Sequence, residues 1–382
     1  MKKLSIIIST VRNSDAFYSS DPKKHIFEDL FESIECQSDY HELIEVIIVD
    51  GVYEYRNLKE ELDSIKKWSF DYKIVYPNDT FWRRKKLFHL NSSFNKAFLE
   101  SNGEFLFFAS DCVHFPLDFF KKYFYYLNMG YCPHSFFLFT YDKKLIVKGS
   151  YINDDNFKNF NCNFRKIENY TCHNNKNNID NYYGYTTDLT YEDLYSNNFL
   201  NYTRIGEPFV MDGRIDNLII KDQNIYKKLS DNTEIMSVYP SWYFGNMSIS
   251  RDDYINLNGY DENFDGFKGL NDCEIGVRYY RYKNFTCPKD NNHILAYDLY
   301  AYENLQKSYN NDVVFMRYSF IDANALFMYI YEELKIIQAN NYKIPKESFD
   351  RLFIKTDDPF NIECQDYYKN NRPNFLLKEL LK

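Results

Sequence analysis

The chain of 382 residues has no C-x-x-C pair among its eight cysteines. That excludes a zinc ribbon or a thioredoxin-like motif, and a chain this long does not need a disulfide scaffold. No stretch approaches the roughly 18–20 apolar residues of a membrane span, so no integral membrane segment is expected. The apolar run Leu4–Ile8 is too short for the hydrophobic region of a secretion signal, and reduced thiols in a cytoplasmic setting are the expectation. Basic runs are scarce as well. Arg83-Arg84-Lys85-Lys86 stands alone in a chain of net charge −9, which argues against non-specific duplex binding as the main task. A nucleic-acid acceptor stays open, because a local field can oppose the net charge. Glycine is missing from Thr10-Val11-Arg12-Asn13-Ser14, after the first apolar run, where a nucleotidyltransferase would carry a glycine-rich phosphate loop.

Aromatic residues, by contrast, are abundant: 37 Tyr and 34 Phe against 3 Trp. With so many tyrosines and asparagines, no single one counts as evidence for a site.

The first third alternates short apolar runs with amphipathic stretches. Leu4–Thr10, Leu43–Val49, Tyr72–Tyr76 and Phe105–Ala109 read as strands. Between them, helices are predicted from Asp21-Pro22 through Ile34, over Leu58–Trp68 and over Lys85–Ser101. Strand and helix in alternation imply right-handed βαβ units and a mainly parallel sheet. Ligands of such sheets gather beyond the carboxyl ends of the strands, where Thr10, Asp50 and Asp111 all fall. From about 150 to 235 the pattern dissolves into an irregular, Asn- and Tyr-rich insertion with room for short hairpins. Helices are predicted again over Asn271–Tyr282 and Asp322–Asn340, before a small C-terminal appendage.

The segment Gly103-Glu104-Phe105-Leu106-Phe107-Phe108-Ala109-Ser110-Asp111, with Pro116 beyond it, resembles the "GEYxxFxDxD…P" strand of GT-A glycosyltransferases, especially the inverting family 2. Asn95 matches the Asn of the helix that precedes this strand in the family. A second block, Gly245-Asn246-Met247-Ser248-Ile249-Ser250-Arg251 with Gly259-Tyr260-Asp261-Glu262-Asn263-Phe264, is similar to "GGNxSxSR…GGFDExF" of the galactosyltransferase-like C-terminal module. Asn271-Asp272-Cys273-Glu274-Ile275-Gly276-Val277-Arg278 continues it, resembling "EDxDLGxR", with Asn271 in the Glu place, Asp272 in the Asp place and Glu274 in the second acidic place.

The resemblance implies a GT-A (Rossmann-like) α/β fold: a nucleotide-sugar-binding half over 1–115, an acceptor and catalytic half over 116–300, and a helical C-terminal extension over 301–382. It implies transfer of a sugar from a nucleotide-diphosphate donor, UDP-linked, to a glycan, lipid-linked or other hydroxyl acceptor. Asp272 takes the place of the catalytic base, with Glu274 beside it. Thr10, Asp50, Arg84, Asn95, Asp111, Gly245 and Asn246 take donor-binding places. Asp111 and His293 would hold Mn²⁺ or Mg²⁺ against the diphosphate. The chain departs from the family at the metal motif: with Asp111 as the first acid of D-x-D, Val113 stands at the second. With Ser110 and Cys112 at the two acidic places, Asp111 is the middle residue, so one carboxylate survives in either register.

Structural readings of the same residues stay open beside these. Asp111 could cap the helix opened by Pro116, and Asp50 could close its own loop. Asn271 and Glu274 form a helix-capping pair, with Arg278 placed for an i,i+4 ion pair to Glu274. The eroded metal motif also keeps a second class of function open, a catalytically silent GT-A-like protein that binds a glycan or nucleotide.

Overall fold

A computed structural model of the chain describes residues 2–11, 25, 27–85, 87, 89–111, 113–115, 119–128, 134–141, 144–148, 164–171, 181–190, 247–266, 271–283, 293–298, 334–347 and 359–381. Four of its strands form the expected parallel array: β1 (Leu4–Thr10), β2 (Ile44–Asp50), β3 (Asp71–Val75) and β4 (Phe105–Ala109). A later strand, β10 (Met247–Ser250), joins antiparallel to β4, giving the order β10-β4-β1-β2-β3. The result is a Rossmann-like, mainly parallel sheet flanked by helices, as the GT-A reading requires.

β1, β2 and β4 are buried on both faces and correspondingly apolar, whereas the edge strand β3 is half-exposed and mostly polar. Leu4, Ile6, Ile8, Val46, Ile48 and Phe107 point one way. They pack on α1 (Glu28–Glu35), through Leu30, Phe31 and Ile34, and on α5 (Phe119–Asn128), through Phe119, Phe120 and Tyr123. Ile7, Ile47, Val49, Leu106 and Phe108 point the other way, onto Leu90, Phe94, Ala97 and Phe98 of α4 (Leu90–Leu99). Each buried Leu, Ile, Val or Phe among them contributes about 1.5–3 kcal/mol to the hydrophobic driving force.

The predicted 85–101 helix is shorter in the structure. A short α3 (Phe81–Arg84) comes first, and α4 begins only at Leu90. The break is set from afar: the Asp265 carboxylate accepts from the backbone N–H groups of Asn91 (2.8 Å) and Ser92 (3.0 Å), capping α4 from 174 residues away. Likewise α2 (Leu58–Ile65) stops short of Trp68, because Lys66 turns extended (φ −166°, ψ 168°).

A second sheet takes the order β5-β11-β6-β7-β9-β8, from Val113–His114, His293–Asp298, His134–Tyr141, Lys144–Lys148, Asn181–Thr190 and Phe164–Thr171. The hairpin expected inside the insertion is therefore β8–β9, antiparallel and built into a sheet rather than irregular. The rest of the insertion lies outside the described residues.

The C-terminal segment corrects the reading of it as an appendage. Tyr367 stacks on Phe81 at 4.3 Å between ring centroids, and Tyr368 packs on Trp82. Leu377 is fully buried in the core on the α4 side, and its N–H bonds to Asn258 Oδ1. The helix expected to reach Asn340 does not do so. Lys335 (φ 50°) and Asn340 (φ 55°) are both in the left-handed region, which ends a right-handed helix; residues 322–333 lie outside the described residues. No helix among the described residues is long and apolar enough to cross a membrane.

Candidate active site

At the carboxyl edge of the sheet, β1, β2 and β4 end side by side, with Thr10 opposite Asp50 and Ile8 opposite Ala109. Asp111 follows β4 by two residues. Its Oδ2 accepts a 2.7 Å hydrogen bond from Thr10 Oγ1 across the top of the sheet, with both residues buried. Two of the residues picked from sequence thus form one unit, although 101 positions separate them.

Asp50 is committed differently. Arg56 donates to both of its oxygens, Nε to Oδ2 and Nη2 to Oδ1, each at 2.9 Å, and the backbone N–H of Val52 donates to Oδ1 at 3.1 Å. Both side chains of this pair are buried. A fork-to-fork pair of this kind is geometrically specific, and it makes Asp50 the clasp of its own loop. Beside that loop Arg83 donates to Tyr53 Oη (3.0 Å) and Glu54 Oε1 (2.6 Å), while Tyr53 packs on the exposed ring of Tyr76, just past β3. Arg84, the basic residue singled out for the donor, instead faces solvent and pairs with Asp79 at 3.0 Å. Arg83 is the one turned toward the edge of the sheet.

Asn95 belongs to the framework and not to a ligand. Its Oδ1 accepts from Tyr260 N–H (2.9 Å) and Tyr254 Oη (2.8 Å), and its Nδ2 donates to Tyr260 O (2.9 Å) and Glu262 Oε1 (3.0 Å). Those bonds fasten α4 to the turn Asn258–Glu262. Gly259 in that turn has φ +71°, and a Cβ there would lie 2.3 Å from Asn95 Oδ1. The glycine of the second block is thus accounted for by packing alone.

The same holds for other parts of both motifs. Gly103 lets the chain pass β1 so closely that a Cβ would sit 2.5 Å from the backbone nitrogen of Ser5. Arg251 donates to Gly103 O (2.7 Å) and Ser101 Oγ (2.8 Å), tying the start of α6 (Arg251–Asn256) to the loop before β4. Ser250 caps α6 by accepting from Asp253 N–H at 3.1 Å.

Helix α7 (Asn271–Lys283) carries the Asp272 segment at its first turn. Asn271 Nδ2 donates to Phe264 O at 2.7 Å, pinning that turn to the preceding loop. The i,i+4 pair expected of Glu274 and Arg278 is present and completely buried, Nη2 to Oε2 at 2.6 Å. Arg278 also donates to the carbonyls of Leu257 (2.7 Å) and Gly259 (2.7 Å), while Glu274 Oε1 accepts from Asp261 N–H (2.9 Å). Burial pushes the Glu274 carboxyl up to about 7, against the opposing pull of the guanidinium. With its oxygens spent this way Glu274 is a clamp between α7 and the 257–261 turn, and the catalytic place assigned to it is corrected accordingly. The side chain of Asp272, and Gly245 and Asn246 entirely, lie outside the described residues.

The register of β11 separates the two residues assigned to a metal. β11 runs antiparallel to β5, with Asp298 opposite Val113 and Tyr297 opposite His114. His293 is at the far end, five residues or about 16 Å along the strand from Asp298 at roughly 3.3 Å per residue. Asp111 precedes Val113, so it lies off the other end of the pairing. His293 and Asp111 cannot share one ion with ligand bonds of about 2.0–2.2 Å. No group of three or more His, Cys, Asp or Glu side chains among the described residues is placed to hold a metal. The residues described do not fit the expected Mn²⁺ or Mg²⁺ site.

His89, which the sequence reading passed over, lies at this edge and is buried (8% exposed). Nothing in the sequence marks a lone histidine before a helix.

No family model matches the chain, and no curated protein matches it. Among solved structures, Staphylococcus aureus TarS (residues 1–349) is 11% identical, over 96% of this chain and 72% of that one, with a TM-score of 0.38. The same protein in complex with UDP gives 12% identity, 97% and 73% coverage and a TM-score of 0.40. Its complex with UDP-GlcNAc gives 18%, 45% and 41%, and 0.28. Similarity at this level carries no argument about activity, and the fold stands on the strand order and register described above.

Proposed function

We propose that this chain is a glycosyltransferase that moves a sugar from a nucleotide-diphosphate donor, UDP-linked, to a hydroxyl acceptor. The observation that carries the proposal is the Thr10–Asp111 pair at the carboxyl edge of a mainly parallel sheet, the position where such sheets bind nucleotides. The second motif block supports it by folding as one unit, β10–α6–turn–α7, that returns to the same sheet beside β4.

In this proposal Asp272, in the first turn of α7, is the base. It takes the proton of the acceptor hydroxyl as the oxygen attacks the anomeric carbon; the bond to the diphosphate breaks and UDP leaves, with inversion. Glu274 and Arg278 hold the start of α7 in place for that step.

UDP and UDP-GlcNAc, the molecules held in two of the TarS structures, are the first ligands to try. Calorimetry with UDP, with and without Mn²⁺, followed by a donor-hydrolysis assay, tests the reading. Binding with slow hydrolysis is expected, and Asp272→Asn should lower turnover by roughly 10²-fold or more while leaving the thermal midpoint in place. Full activity in Asp272→Asn would remove the base assignment. Binding without any turnover across donors and acceptors would favour a silent binding protein instead.

A further inference from the structure

His89 sits just before α4, beside the carboxyl ends of β1 and β2. Its Nδ1 lies 2.9 Å from the Leu87 carbonyl, which can only accept, so Nδ1 carries the proton. The other ring nitrogen, Nε2, is therefore a bare acceptor lone pair, and it is buried with no hydrogen-bond partner among the described residues. Buried acceptors without partners are rare because each costs about 1–3 kcal/mol. The location says what the vacancy is for. Nε2 is 3.5 Å from where a Cβ on Gly51 would stand, and that same point is 3.0 Å from the Thr10 carbonyl. Gly51 N–H bonds to Thr10 O at 2.8 Å, so the lone pair lies over the junction of the β1 and β2 ends, beside the residue whose hydroxyl holds Asp111.

We infer that His89 is a donor-binding residue whose Nε2 accepts a hydrogen bond from the nucleoside half of the ligand, a nucleobase N–H or a ribose O–H. The inference rests on the nucleotide-sugar reading above and deepens it. Diphosphate oxygens are themselves acceptors and offer nothing to a neutral imidazole. Burial lowers the His89 pKa from its ordinary value and the nearby Arg83 guanidinium adds to that, while the Leu87 carbonyl opposes both. The ring is neutral at pH 7, and a partner with a proton to give is what it lacks. The N-terminal amides of α4 are no alternative anion site, since Asp265 already occupies those of Asn91 and Ser92. With Asp50 clasped by Arg56, His89 Nε2 is an acceptor beside the β1 and β2 ends that has no bond among the described residues.

The test is calorimetric titration of UDP, 2′-deoxy-UDP and N3-methyl-UDP into the wild type, His89→Phe and His89→Gln. Phenylalanine keeps the ring volume and removes the acceptor; glutamine restores an acceptor oxygen. UDP should bind His89→Phe about ten-fold more weakly, the worth of one hydrogen bond, with partial recovery in His89→Gln. The thermal midpoint of unliganded His89→Phe should be equal to or above that of the wild type, because a buried orphan acceptor is gone. The analogue for which wild type and His89→Phe bind alike identifies the bonded atom. In wild-type protein labelled with ¹⁵N at histidine, the Nε2 resonance should shift on adding UDP, a readout that needs no variant. Equal affinity of wild type and His89→Phe for UDP, or an unmoved Nε2 resonance at saturation, overturns the assignment while leaving the transferase reading intact. If the wild type binds no nucleotide at all, the transferase reading falls and the assignment falls with it.

Discussion

Replacing Arg278 with methionine isolates the clamp that fixes α7. The wild-type guanidinium is fully buried, makes bonds of 2.6–2.7 Å to Glu274, and holds the carbonyls of Leu257 and Gly259. Methionine fills much of the volume but leaves a buried carboxyl without its cation and strands both carbonyls. Removing one partner of a buried pair costs about 3–5 kcal/mol. The cost should depend on pH with a definite sign. Burial already raises Glu274 to about 7 with Arg278 in place, and losing the guanidinium raises it further. A carboxyl with a folded pKa above its unfolded value binds its proton more tightly in the native state. Its penalty is therefore absent at low pH and grows as pH rises past the unfolded value, by up to about 1.4 kcal/mol per pH unit. Urea denaturation of wild type and Arg278→Met at pH 5, 7 and 8.5, followed by intrinsic fluorescence, measures this directly. The variant should be less stable at every pH, from the stranded carbonyls, and the gap should be widest at pH 8.5. A gap under about 1 kcal/mol throughout, or one that narrows with rising pH, would refute the clamp.

Other perturbations read neighbouring parts of the molecule. Glu262 is partly buried, and burial of its carboxyl pushes it up to about 7, with the Asn95 hydrogen bond opposing. Native stability should fall between pH 5 and 7.5, and Glu262→Gln should flatten that slope by about 1–2 kcal/mol after discounting for solvent, as equilibrium denaturation would show. Asp50→Asn breaks the buried pair with Arg56 and should cost about 3 kcal/mol; with Asp50 acting as a loop clasp, the Kd for UDP should move less than about three-fold. Gly103→Ala drives a Cβ to 2.5 Å from the Ser5 backbone, which nothing flexible can relieve, and should cost about 3 kcal/mol or more by thermal melting. Thr10→Val removes the bond to the buried Asp111 carboxylate and should both lower stability by about 1–3 kcal/mol in thermal melting and weaken UDP binding in calorimetry.

β1 and β2 were legible in the sequence as short β-branched runs and β4 as an aromatic one, because burial on both faces forces an apolar composition. β3, mostly polar and half-exposed at the edge of the sheet, was marked chiefly by Ile74 and Val75. Thr10, Asp50 and Asp111 were legible as edge residues for the same reason, since the end of an apolar run marks the end of a strand. The Glu274–Arg278 pair follows from helical spacing alone. What the tertiary structure decided is how those residues spend their bonds. Asp50 turned inward to Arg56, six positions on, where spacing in an irregular loop has no fixed meaning. Asn95 and Asp265 were claimed by partners more than 160 positions away, and no local pattern encodes such a pairing. His293 was separated from Asp111 by strand register, which depends on which strands pair and not on either residue. His89 became noteworthy only once its surroundings were known: an imidazole is identified as an acceptor in want of a donor by what packs around it, and packing is a property of the folded chain.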